Sequence, residues 1–254
     1  RRVAVALATL LLALPLLPAA PARAQTSAGA DGPSGTGSHG PVYHVYVGAE
    51  SADLIHRIRF GPGGATVDRT TPVGEMALET EGPHGLNVSP DGTHLYMSTA
   101  HGVPDGKLWK FHAGPDTLVA EPILLGNFPA TLDLTPDGLY AMVVNFNLHG
   151  EHVPSTVSVV YTPDMIEVEQ IATCTMPHGL RLAPSGLHAY SLCMMDDQLV
   201  EIDTRSFQVS RRFSVADGEE GPVTDYDPGE IVTGSRGVTR TGGGPSSAGM
   251  SGGS

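Results

Sequence analysis

Basic residues are scarce in this chain: 14 Lys and Arg stand against 27 Asp and Glu, for a formal net charge of −13. No basic stripe crosses its middle, which argues against binding nucleic acid through phosphates, and the acidic surplus reads as a solvated surface. Cysteine is nearly absent too. Cys174 and Cys193 are the only two, and in an exported protein they suffice for one disulfide; the sequence leaves open whether they pair. Long apolar runs are confined to Val3–Leu17. That run of about 15 residues falls short of the ~20 that a bilayer span needs. Catalytic signatures are also missing: no Gly-x-Ser-x-Gly is placed as a nucleophile elbow, and no Cys-x-x-Cys-His exists to attach haem. Carboxylates do not cluster, which argues against calcium or magnesium.

What is present begins with an export signal. Arg1 and Arg2 precede the apolar run, and Ala22-Arg23-Ala24 supplies small residues at cleavage spacing, so residues 1–24 are expected to be a secretory signal peptide. The missing initiating Met places the expected start of the reading frame a little upstream, and the paired arginines are compatible with either export route. Residues 25–40 are rich in Ser, Gly, Ala and Pro and are expected to form a flexible leader. Residues 217–254 become Gly-, Ser- and Thr-rich and are expected to be a low-complexity, disordered tail. The folded part is therefore expected at 41–216, in an exported protein with no stable membrane insertion after cleavage.

That part repeats. Ser89-Pro90-Asp91-Gly92, Thr135-Pro136-Asp137-Gly138 and Ala183-Pro184-Ser185-Gly186 recur roughly 47 residues apart, each between two short alternating runs. Proline presets φ and glycine accepts φ > 0, so each tetrad is expected to close a β-hairpin. A third strand is expected at Lys107–Phe111, Thr156–Val160 and Gln198–Ile202, and a fourth at Thr117–Leu125, Ile166–Ala172 and Phe207–Val215. Val42–Val47, Leu54–Phe60 and Thr66–Val73 read as a preceding, shorter unit. Four short strands per repeat predict an all-β fold, a β-propeller of four-stranded antiparallel blades with about four blades present.

Pro83-His84-Gly85 with Ser89-Pro90-Asp91-Gly92, and Asp196-Asp197-Gln198-Leu199-Val200-Glu201-Ile202-Asp203, carry a resemblance to the YVTN-type (YncE-like) β-propellers. The resemblance covers roughly Val42–Val215. It implies the fold and says little about activity, because that family hosts scaffolds, binding proteins and enzymes alike. The family usually closes a ring of seven blades, so about four blades and a Gly-Ser tail imply a partial member, cut short after Val215.

Pairing each hairpin about its turn sets His84 opposite Thr99, Ala130 opposite Asn145 and His178 opposite Cys193, at the end remote from the turn. In a propeller that end crowds the axial face, which also receives the loops holding His101, His149, His152, Met194 and the connection through Cys174 and Met176. Imidazole, thiolate and thioether together favour copper, or zinc without the methionines. His178, Cys193 and Cys174, with His84, His149 and Met194, are thus candidate metal ligands, and His101, His149 and His152 are candidate partner contacts. Against this stand a structural disulfide, solvated loop histidines and Pro-His-Gly as a plain turn.

The leading expectation is a non-catalytic exported propeller whose axial face binds a protein or small molecule. A copper-binding or redox propeller is the alternative. A lactonase-like hydrolase is a third, weakened because the strand-end positions are Thr99, Asn145 and Cys193 rather than acidic groups.

Overall fold

The computed structural model describes residues 40–76, 78–101 and 105–226; the expected signal peptide, the leader before Gly40 and the chain from residue 227 onward lie outside them. The described residues form four antiparallel sheets in chain order. The first blade holds β1 (Tyr43–Ala49), β2 (Leu54–Gly61) and β3 (Gly64–Pro72), with a single 3-10 turn at Glu50–Ala52 between the first two. The second holds β4 (Pro83–Val88), β5 (His94–Thr99), β6 (Asp105–His112), β7 (Thr117–Leu118) and β8 (Ile123–Asn127). The third runs β9 (Pro129–Leu134), β10 (Tyr140–Asn145), β11 (Pro154–Tyr161) and β12 (Ile166–Thr175). The fourth runs β13 (Pro177–Leu182), β14 (His188–Cys193), β15 (Gln198–Asp203), β16 (Gln208–Ser214) and β17 (Gly221–Pro222). This is a partial β-propeller, as the repeat predicts.

Two strands depart from expectation. The outer strand of the second blade is split into β7 and β8 around Glu121-Pro122, since proline has no N–H to give to the ladder. In the fourth blade a further short strand lies past residue 216, where β17 pairs with the end of β16.

The three tetrads close hairpins for the reason the sequence gives. Gly92, Gly138 and Gly186 sit at φ of 73°, 72° and 71°, a region that side chains avoid. Beyond each turn the register is regular as far as Leu86–Met97, Leu132–Val143 and Gly179–Leu192, and then slips by one residue. The partners of Thr99, Asn145 and Cys193 are consequently Pro83, Pro129 and Pro177, not His84, Ala130 and His178. The bulge comes where the residue before each proline, Gly82, Phe128 or Met176, takes a left-handed conformation. An extra residue on the bulged strand turns its side chain out of the ladder.

Burial follows the number of neighbours. β5 and β10 are buried at every position after the first, because both faces of their sheets are covered. Leu95 and Met97 face Ile55 of the first blade, while Tyr96 faces Leu132 and Val143 of the third. Met142 and Val144 in turn pack with Leu180, Ala189 and Ile202 of the fourth. Three apolar cores thus fill the three junctions between consecutive blades. The outer two blades are covered on one face: β1 leaves Tyr43, Val45 and Val47 exposed in alternation, and β14 leaves Leu192 exposed.

Polar ties join the inner strands. A Cβ at Gly85 would lie 2.2 Å from the carbonyl oxygen of Ala130, so β4 and β9 approach as closely as they do only with glycine there. Ser98 Oγ accepts from Gly85 N at 2.9 Å and donates to that same Ala130 carbonyl at 2.7 Å. Asp133 accepts from Asn87 Nδ2 of β4 at 2.7 Å and from Leu182 N of β13 at 2.9 Å, linking three blades through one carboxylate. Cys174 and Cys193 form a disulfide between β12 and β14, with Cα atoms 5.9 Å apart and both residues buried.

Two outcomes follow for stability. Replacing both cysteines by alanine opens a short loop constraint and is expected to lower unfolding free energy by about 3 kcal/mol, read as a lower urea midpoint; an unchanged midpoint would contradict it. Glu201, buried in β15, is held at a pKa of about 2 by hydrogen bonds from Arg211, against the upward push of burial and with help from Ser210 and Tyr190. Its folded pKa lies below the unfolded one, so its stabilisation is full above pH ~4.5 and is lost as pH falls toward 2. Glu201→Gln should therefore flatten the acid limb of the stability profile, and an unaltered limb would count against this assignment.

Candidate functional site

The bulges decide where the histidines go. His84 on β4 and His178 on β13 are the residues displaced from the ladder, and their rings meet edge to face with Nε2 atoms 3.3 Å apart. Between them in chain order, β9 carries Ala130 at the matching position, fully buried.

Glu50, in the 3-10 turn of the first blade, completes the arrangement. Its Oε1 accepts from His84 Nδ1 at 2.9 Å and from His101 Nε2 at 2.8 Å. Burial pushes the Glu50 carboxyl up, but hydrogen bonds and positive charge from His84 and His101 outweigh it and hold the group below the ordinary carboxylate range. With Nδ1–H of His84 committed to a carboxylate, Nε2 is the nitrogen that faces His178. Burial pushes the His178 imidazole down, and the neighbouring His84 adds to this while Glu50 opposes it. The pair is therefore neutral on the His178 side at neutral pH.

Phenylalanines brace these rings. Phe128 lies edge-on to His84 at 5.2 Å, to His101 at 4.8 Å and to His149 at 5.5 Å between centroids, and Phe146 lies edge-on to His178 at 4.7 Å. His101 and His149 are 6.0 Å apart by the same measure. Phe128 is buried with φ of 53°, a conformation costing a non-glycine residue about 1 kcal/mol or more, held at the site by its packing. Two clefts open beside His101, one of about 330 Å³ against Met76, Glu81, Lys107 and Leu124, and one of about 380 Å³ against Glu50, Ser51 and Thr80.

Of the residues singled out from the sequence, His84, His101, His149 and His178 come together. His152 is exposed in the same loop as His149, and none of the ring contacts that define the cluster involves it. Met194 is 59% exposed on the connection after β14. Cys174 and Cys193 are bonded to each other, so in this structure neither offers the thiolate that a His–Cys copper site needs. Among the described residues, no three His, Cys, Asp or Glu side chains converge on one point as metal ligands. Glu50 and Phe128 escape sequence reading. Glu50 precedes the first recognisable tetrad and has no repeat partner to flag it, and Phe128 stands where the other blades carry Gly82 and Met176.

The strand-end positions are occupied with holding the blades. Thr99 Oγ1 accepts from Trp109 Nε1 at 3.0 Å, and Asn145 Nδ2 donates to Thr156 and Ser158 while its Oδ1 accepts from Gly126 N. Ser98 is engaged on both sides by backbone.

No family model matches the chain, and no curated protein sequence matches it. Solved structures are similar to it in fold. One is Kuenenia stuttgartiensis hydrazine synthase, 24% identical, with a TM-score of 0.48 over 60% of this chain and 41% of that one. The present chain thus spans about two-fifths of the length of that relative. Another is a functionally unknown protein from Desulfotomaculum acetoxidans DSM 771, 9% identical, with a TM-score of 0.55 over 75% of this chain and 70% of that one. At that identity the likeness extends to the fold alone.

Phe128→Ala removes a buried ring that touches three of the four clustered imidazoles. It is expected to cost about 3 kcal/mol or more of stability, measured by urea unfolding. A loss under 1 kcal/mol would mean that the ring is not the brace described.

Proposed function

We propose that this chain is an exported propeller of the YVTN type whose axial mouth binds a protein or small-molecule partner without catalysing a reaction on it. The observation that carries the reading is convergence: Glu50, His84, His101, His149 and His178 come from all four blades and gather around Phe128 and Phe146. Packing alone does not call for so many polar rings at one place; His149 is exposed, and His101 lines both clefts. The employment of Thr99, Asn145, Ser98 and Cys193 in structural bonds supports a binding rather than a hydrolytic role. The disulfide is in keeping with export, since such bonds persist in oxidising compartments. The Pro-x-Gly and Pro-Asp-Gly repeats support the family assignment.

Immobilised chain should capture a partner from periplasmic extract. The purified partner should then bind the His101→Gln/His149→Gln variant at least tenfold more weakly. Equal binding by the variant, or reproducible turnover of a lactone panel by the wild-type chain, would overturn the proposal.

A further inference from the structure

The reading above places a ligand at the axial mouth, and the His84–His178 pair narrows its chemistry. Two imidazole nitrogens bound to one ion at 2.0–2.1 Å, with a near-tetrahedral angle between them, lie about 3.3 Å apart. The Nε2 atoms of His84 and His178 lie 3.3 Å apart, joined by a hydrogen bond whose proton an entering ion would displace. Resting on that reading, we propose that His84 and His178 are two ligands of a bound d10 metal ion, Zn(II) or Cu(I), whose remaining positions are open to donors from outside the chain.

Two further features fit such a seat. The Glu50 carboxylate takes the Nδ1–H of His84, the arrangement by which a metal-binding histidine is fixed in tautomer and orientation by a carboxylate behind it. Phe128 and Phe146 hold the two rings edge-on, so that little reorganisation is needed when the ion enters. Neutral imidazole suits zinc and copper alike, and the donor set contains no free thiolate to separate them. With only two protein donors, the ion stays coordinatively open. It would bind modestly by itself and more tightly together with a partner that supplies a further donor.

The test uses the full chain with its disulfide intact. Zn(II) in air and Cu(I) under anaerobic conditions are each titrated against a competing chromophoric chelator. One ion per chain is expected, with affinity falling at least tenfold in His84→Asn and in His178→Asn. Glu50→Gln should weaken it 10- to 100-fold, and His44→Gln, an exposed histidine of the first blade, should leave it unchanged. X-ray absorption on the loaded wild-type chain should count two imidazole nitrogens at about 2.0 Å. This count stands even if a variant fails to fold. The arm that binds more tightly identifies the ion. Binding of neither ion, equal affinity in wild type and the His84→Asn/His178→Asn chain, or an imidazole count other than two would overturn the metal seat. Partner capture through His101 and His149 would then still decide the broader binding reading, so the two failures are distinguishable.

Discussion

Each blade of this protein is a thin sheet that can bury its apolar faces only against the next sheet, and everything else in the structure hangs on that packing. The three junction cores, built on Ile55 and Leu95, on Tyr96 and Val143, and on Met142 and Ala189, fix the blades in order. Because the inner strands β4, β9 and β13 must lie side by side for those cores to form, their bulged ends are delivered to one place. Asp133 and Ser98 add directional bonds to a contact that apolar packing alone would leave free to slide.

The site is a by-product of that geometry put to use. A regular ladder would have paired His178 with Cys193 and sent alternate side chains to opposite faces of the sheet. The bulge frees His84 and His178 from the ladder, and the left-handed residue before each proline sets the bulge. Once freed, the two rings meet edge to face and are fixed by Glu50 and the phenylalanines. Charge is arranged simply: one carboxylate beside several imidazoles, which is low in net charge and rich in nitrogen donors.

Much of the fold was legible in the sequence, because proline and glycine at fixed offsets mark turns through local sterics. The tetrads located the hairpins, and the alternation of apolar residues located the strands and the register nearest each turn. Legibility ended where long-range packing takes over. The one-residue slip at Pro83, Pro129 and Pro177 depends on the backbone conformation of the residue before each, and nothing in a Phe or a Met announces φ > 0. The gathering of His84, His101, His149 and His178 on one face could be read from their shared position in the repeat. Glu50 could not, because its place comes from the first blade docking on the second. Cys174 and Cys193 could be paired or free on spacing alone, and only their placement on β12 and β14 brings them together.

His84 is anchored through Nδ1 on Glu50 and turns its Nε2 toward His178. Long-range nitrogen–proton NMR of the imidazoles in the metal-free chain reads this directly. His84 is expected to carry its proton on Nδ1, and Glu50→Gln to disturb this ring together with that of His101. A His84 ring protonated on Nε2, or one indifferent to Glu50, would contradict it.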